Sequence, residues 1–206
     1  MTSKTVTIVD LGTGNLRSVA RAVERAGGSA TITADPDAVR RSPVVIVPGQ
    51  GAFRDSAEAL ERGFGDALLE AVKSGKPYLG LCIGMQLLFD GSEESPGAAG
   101  LGVFKGTVQR FARDLQDSEG ARLKVPHMGW NEVESSHALL PARGWFYFVH
   151  SYHCVPDDSS LTVATADYGG KFCTAVARDN VFACQFHPEK SQDEGRLFLE
   201  RFLEGL

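Results

Sequence analysis

Four short runs rich in β-branched and apolar residues mark out the first part of this chain: "TVTIVD" (residues 5–10), "SATIT" (29–33), "PVVIVPG" (43–49) and "KPYLGLC" (76–82). Helix-like stretches separate them. "LRSVARAVERAG" follows the first run and its turn "LGTGN", a long helical stretch near residues 54–74 follows the third, and "GMQLLF" follows the fourth. Short buried strands alternating with helices call for βαβ units and a largely parallel sheet. Few architectures satisfy that pattern. The one expected here is α/β: an open mixed sheet, parallel-rich in its N-terminal half and flanked by helices. In such sheets active sites gather beyond the carboxyl ends of the strands, where "VPGQG" and Cys82 both lie.

Beyond residue 100 the texture changes. Residues 101–111, 125–133, 145–149, 161–166, 174–177 and 181–185 read as short strands joined by turns, an antiparallel-rich half completed by a terminal helix over 193–206. Residues 112–124 are charged and lack apolar periodicity, which predicts a solvated loop or hairpin tip. No repeat, low-complexity tract or linker divides the 206 residues, so a single domain over 1–206 is expected. A net charge of -5 without a Lys/Arg cluster argues against a nucleic-acid binder. No apolar run reaches the ~18 residues of a membrane span. The N-terminus carries no signal-peptide pattern, so a cytoplasmic location is expected. Cys82, Cys154, Cys173 and Cys184 lack CxxC spacing, which suggests neither a zinc site nor a disulfide framework.

Chemistry concentrates in "KPYLGLCIGMQLLF". Gly80-Leu81-Cys82-Ile83-Gly84 has the layout of a G-x-S-x-G nucleophile elbow with sulfur for oxygen, and its glycines relieve crowding at a tight strand-to-helix turn. The same five residues also fit a cysteine buried in a core strand. A cysteine nucleophile needs a base, and "FHPEK" supplies His187 and Glu189 directly after the strand "VFACQ". If strand geometry continues, alternate side chains share a face, so the carboxylate can fix the imidazole tautomer while the other ring nitrogen faces the sulfur. A free thiol near pKa ~8.5 is mostly protonated at neutral pH, and an adjacent imidazolium and the positive end of the helix after Cys82 both favour the thiolate. Viewed alone, His187 and Glu189 also fit a surface pair. "PGQGAF" (48–53) offers glycine-rich backbone for an oxyanion hole, with the Ile83 amide as second donor, and is equally a plain strand-to-helix turn.

"GLCIGMQLLF", "PGQGAF" and "FHPEKS", in this order and at these separations, resemble the class I (triad) glutamine amidotransferases over essentially the whole chain. "DLGTGNLRSV" (10–19), "FVHSYH" (148–153) and above all "PHMGWNEV" (126–133) narrow the resemblance to the glutaminase subunits of imidazole glycerol phosphate synthase, in histidine biosynthesis. The resemblance implies that Cys82 attacks the side-chain amide of glutamine, that His187 passes a proton to the departing ammonia, and that Glu189 orients His187. It implies an oxyanion hole from the backbone of Gln50, Gly51 and Ile83, where the family more commonly has valine at the position of Gln50. It places Gln86, Glu94, Ser151 and Tyr152 around the glutamine. A carboxylate at Glu94 suits an α-ammonium, though composition alone reads it as part of a solvated acidic loop.

The partner implied is a (β/α)₈ barrel synthase/cyclase that receives the ammonia, with Asn15, Met128, Trp130, Asn131 and Lys190 at the interface. Met128 and Trp130 are large apolar types found at interface hot spots, and equally at home in a core. No cofactor is expected: "GTGNLR" has Arg17 where a dinucleotide fingerprint needs its third glycine. No metal is expected either, since His150 and His153, three apart in a strand-like segment, fall on opposite faces. Two other readings stay open. One is a glutaminase of another pathway, such as pyridoxal phosphate synthesis, and the other is a non-catalytic regulatory subunit of the same fold.

Overall fold

The computed structural model describes residues 4–206. Its spine is a nine-stranded mixed sheet in the order β2-β1-β3-β4-β11-β10-β9-β6-β7. Strands β1 (Thr5–Val9), β2 (Ser29–Thr33), β3 (Val45–Gly49), β4 (Tyr78–Cys82) and β11 (Val181–Cys184) run parallel. Strands β6 (His127–Ser135), β7 (Arg143–His150), β9 (Thr162–Asp167) and β10 (Lys171–Arg178) extend the sheet in antiparallel fashion. β5 (Gly106–Arg110) and β8 (Tyr152–Pro156) form a separate two-stranded ribbon. This is the expected α/β architecture, parallel-rich in its N-terminal half.

Side chains alternate across the central strands. Val45, Val47, Tyr78 and Cys82 face one apolar layer, and Ile46, Leu79 and Leu81 face the other. Helices α3 (Phe53–Ala59) and α4 (Gly65–Lys73) cover the first layer. Helices α1 (Leu16–Arg25) and α6 (Gln192–Glu204) cover the second. The short α2 (Pro36–Arg41) begins with Asp35 accepting from the Asp37 amide at 2.9 Å and proline at its first turn, a standard N-terminal cap.

Two helical expectations need correction. The stretch over 54–74 is not continuous: Gly63, at φ +99°, breaks it into α3 and α4 across a turn at Leu60–Phe64. The helix after Cys82, α5 (Ile83–Gln86), is a single turn. Beyond it the carbonyls of Leu87, Leu88 and Phe89 accept from the amides of Leu101, Phe104 and Gly102, so a returning loop replaces the next helical turn. The strand expected over 101–111 shrinks to β5, and its partner β8 is a strand where the sequence offers only a strand-like segment around His150 and His153. Residues 112–124 form the expected tip, closed where the Asp117 amide donates to Ala121 O at 2.9 Å.

Topology carries the site. β11 is the last strand in sequence yet lies beside β4, with Cys184 opposite Leu81, while Gly49 of β3 lies opposite Cys82. The segments leaving β3, β4 and β11 therefore meet at one end of the sheet.

Candidate active site

Cys82 ends β4 at φ +53° and ψ −104°, in the left-handed region that non-glycine residues rarely occupy. The glycines around it are sterically required. A methyl at Gly84 would fall on the carbonyl oxygen of Val47, and one at Gly80 would sit 2.6 Å from Gly84 O. A methyl at Gly49 would sit 2.6 Å from the Ile83 side chain, so β3 and α5 cross with no room to spare. Tyr78 Oη donates to Gly84 O at 3.2 Å and holds the turn from beneath. This is an elbow rather than a strand interior. The other cysteines are core residues: burial pushes the Cys154 and Cys184 thiols well up, and the Cys173 thiol to about 11.

The expected base is in place, but not by strand alternation. β11 stops at Cys184, His187 lies in an extended conformation, and Pro188–Lys190 forms a 3₁₀ turn that folds Glu189 back onto the ring. Glu189 Oε1 lies 2.8 Å from His187 Nδ1, with both side chains at most 3% exposed. They are therefore not a surface pair. The His187 amide donates to Tyr147 O at 2.9 Å, and Ser191 Oγ donates to His187 O at 2.6 Å while accepting from the Tyr147 amide at 3.0 Å. His187 is thus fastened to β7.

Its second ring nitrogen, Nε2, is buried without a well-formed hydrogen bond. Cys82 is close enough for its charge to govern that nitrogen. Burial alone lowers the His187 pKa. The negative sulfur of Cys82, and after it Glu189, outweigh that effect and raise it to about 10. The helix after the elbow contributes less than the sequence promised, because one turn carries little dipole.

Around Cys82 and His187 opens a cleft of about 320 Å³, lined also by Gln50, Gly51, Ile83, Gln86, Glu94, Ser151, Tyr152, Val149, His150, Pro126 and Lys190. Of the residues expected in the triad, the oxyanion hole and the glutamine pocket, all but Glu189 line this one space, and Glu189 stands behind His187. Gly51 adopts φ +96° and marks the turn as the glycine-dependent one. Glu94 is neither free nor simply solvated: its Oε2 accepts from the Phe53 amide at 2.8 Å, bracing the segment that follows Gly51. Gln86 Nε2 donates to Tyr152 O at 3.3 Å and to Gln185 Oε1 at 3.1 Å, which leaves its buried Oε1 without a partner.

The expected interface residues divide. Met128 and Trp130 are 62% and 42% exposed, which removes the core alternative. They share a face of β6 with their β7 neighbours Val149 and Tyr147. Trp130 meets Tyr147 edge-on at 6.1 Å, and Lys190 Nζ lies 5.8 Å from the centre of the Tyr147 ring. Asn131 points to the other face, donating to Asp167 O at 2.8 Å and standing 3.3 Å from His127 Nε2. Asn15 caps α1 by accepting from the Ser18 amide, in a loop whose Gly14 passes beside Gly49 and Gln50.

The separation expected for His150 and His153 fails. The chain bends at Ser151 between β7 and β8, and both rings pack on Phe111, at 5.2 and 4.8 Å between centres. Among the described residues, no group of three or more His, Cys, Asp or Glu side chains could hold a metal ion.

Sequence reading missed Gln185, Tyr147 and Ser191. The expected strand over 181–185 ends on Gln185, and a lone polar residue between Cys184 and Phe186 is the signal available. The run "WFYFVH" carried another, because apolar residues on both faces of an edge strand leave one face uncovered.

The family described as "Glutamine amidotransferase class-I" matches residues 7–205. A relative from Syntrophotalea carbinolica, named "Imidazole glycerol phosphate synthase subunit HisH", is 48% identical over 96% of this chain and 98% of its own. A relative of the same name from Neisseria gonorrhoeae is 48% identical over 95% and 97%. Among solved structures, a glutamine amidotransferase superposes with a TM-score of 0.74 at 23% identity, covering 98% of this chain and 99% of its own. PurLQS from Thermotoga maritima superposes with a TM-score of 0.73 at 19% identity and covers 98% of both chains. These two likenesses are likenesses of fold.

Proposed function

We propose, because the chain belongs to the class-I glutamine amidotransferase family, that it is the glutaminase subunit of an imidazole glycerol phosphate synthase. In this reading it works as one catalytic unit over residues 1–206, in the cytoplasm. The observation that carries the chemistry is one juxtaposition. A cysteine held at positive φ on a sterically locked elbow shares a cleft with a buried histidine–carboxylate pair.

The Cys82 sulfur attacks the carboxamide carbon of glutamine, and the carbonyl electron pair moves onto oxygen. The backbone of Gln50 and Gly51 and the amide of Ile83 receive that oxyanion. One lost donor of this kind commonly reduces turnover by ~10²–10³. The tetrahedral species collapses by breaking the C–N bond, and His187 Nε2 supplies the proton with which nitrogen leaves as ammonia. Water then attacks the thioester, His187 takes its proton, and glutamate departs as the thiolate returns. Glu189 holds the imidazole in the tautomer both steps need. Gln86 Oε1, buried and without a partner, is left to accept a hydrogen bond from the substrate, while Glu94 and the Ser151–Tyr152 backbone hold its α-amino and α-carboxylate groups.

Ammonia leaves towards a (β/α)₈ barrel synthase/cyclase that docks over the cleft mouth. Its footprint centres on Met128, Trp130, Tyr147 and Lys190, with Asn15 across the mouth. Exposed aromatic and apolar groups beside a cleft are what such a partner would cover.

The test is glutamine hydrolysis by this chain, alone and mixed with a histidine-pathway barrel synthase carrying its nucleotide ligand. Strong stimulation in the complex is expected, and Cys82→Ser abolishes it while leaving partner binding and use of external ammonium intact. Full activity of the isolated chain would remove the coupling. Stimulation by a different partner would keep the glutaminase and discard the pathway. Silence in a folded, assembled complex would favour a non-catalytic subunit.

A further inference from the structure

Gln185 is fully buried, immediately after β11, where the register of Cys184 with Leu81 brings it beside Cys82. Its Nε2 lies 3.4 Å from Cys82 Sγ. We propose that Gln185 is a positioning residue for the nucleophile: its amide N–H donates to the Cys82 sulfur, favours the thiolate and fixes its direction. The inference rests on the reading of Cys82 as the nucleophile.

An amide held this way matters only if it cannot turn over and present oxygen instead. Here the surroundings decide the orientation through one hydrogen-bond chain. The Tyr152 carbonyl can only accept, so the NH₂ of Gln86 must face it. That same NH₂ meets Gln185, whose contacting atom must then be its oxygen, and its own NH₂ is left facing sulfur.

The Tyr152 carbonyl is itself fixed from the far side. His150 Nδ1 lies 2.8 Å from it and must carry a proton, which makes His150 Nε2 an acceptor. His127 Nδ1, at 3.1 Å, donates to that nitrogen, and His127 Nε2 accepts from Asn131. The Asn131 amide is oriented independently, donating to Asp167 O while its Oδ1 accepts from the Glu132 amide. Each member has one permitted sense, and the two arms meet at the Tyr152 carbonyl, which accepts from both. Asn131 thus belongs to this chain of bonds.

The titratable groups that act on the Cys82 sulfur are His187, with Glu189 behind it, and the Cys154 and Cys184 thiols. Those two thiols stay protonated, which leaves, among the described residues, His187 as the acid beside the sulfur and Gln185 as the side chain that donates to it.

The experiment is iodoacetamide alkylation of Cys82 in the full-length chain across pH, with the labelled cysteine identified by mass spectrometry. A hydrogen bond to a charged group is worth enough that Gln185→Met should slow labelling at pH 7 about tenfold or more. The midpoint of the profile should rise by about one pH unit or more. In the complex, kcat should fall. Gln185→Asn, which keeps an amide but is one methylene too short, should move the midpoint in the same direction. It serves where the methionine variant does not fold. In the unmutated chain, the side-chain amide resonance of Gln185 should shift as Cys82 titrates.

A folded variant with the unmutated rate and midpoint, or a resonance that ignores Cys82, overturns the proposal. A Cys82 that labels no faster in the native chain than in the denatured one instead removes the nucleophile reading, and this inference with it.

Discussion

The cleft has two walls held by different physics. The wall built from β3 and β4 is held by contact distance. Gly49, Gly80 and Gly84 let two backbones cross where any side chain would collide, and the strained Cys82 backbone persists because those contacts leave it nowhere to relax. The wall at the β7–β8 bend is held by polar bonds among neutral groups. His127, His150 and the Tyr152 carbonyl form a buried chain, and burial keeps both histidines neutral, lowering their pKa to about 4 and about 3. The first wall is indifferent to pH and intolerant of one methyl group. The second is intolerant of one proton.

Adding that methyl gives the largest expected effect. Gly84→Ala puts Cβ onto the Val47 carbonyl oxygen, a backbone atom that cannot step aside. Loss of at least about 4 kcal/mol, or of folded protein altogether, is expected in denaturant titration. A stable Gly84→Ala chain would break the contrast by showing that the elbow can repack.

Acid should act on the other wall. The folded pKa of His150 is depressed below the unfolded 6.5, chiefly by burial against a smaller opposing effect of the Tyr152 carbonyl. Between pH 6.5 and about 3 the unfolded chain therefore binds more protons. Stability is full above pH 6.5 and is lost as pH falls through that window, by about 5 kcal/mol. His187 has the opposite sign: its contribution is complete below pH 6.5 and is lost as pH rises through about 10. Thermal unfolding across pH with His150→Phe checks the acid limb, since the variant should flatten it. An unchanged acid limb would place the sensitivity elsewhere.

The smallest effect sharpens the contrast within the first wall. Gly51 has φ +96° but nothing within 4 Å of an added Cβ, so Gly51→Ala meets strain without collision. About 1–2 kcal/mol is expected, a Tm fall of roughly 2–8 °C. If the turn carries an oxyanion donor, turnover in the complex should drop by more than that stability change accounts for. Equal activity would assign the turn a scaffolding role only.

Much of this was legible in the sequence because it is encoded locally. Strand–helix alternation follows from β-branched runs and turn residues. The elbow is announced by Gly80, Cys82 and Gly84, and a base by the "FHPEK" that follows a strand. Where local periodicity was extended past its range, it failed. Gly63 interrupts a pattern that reads as one helix, and the bend at Ser151 cancels the alternation that would have parted His150 from His153. His187 and Glu189 were paired correctly, but a 3₁₀ turn aligns them rather than a strand.

The sequence by itself therefore determined which residues are chemically equipped to act, since a residue's type and its near neighbours are written along the chain. Only the tertiary structure decided which of them meet. β11 lands beside β4 because the apolar faces of both strands must be buried in the same two layers. That single placement brings together Cys82, Gln185, His187 and Glu189 from distant parts of the chain. Direction is equally nonlocal: Trp130 faces outward and Asn131 inward because β6 pairs with β7 over one face of the core. Hydrogen-bond sense, down to which end of an amide faces a sulfur, is set by partners the chain supplies from other strands.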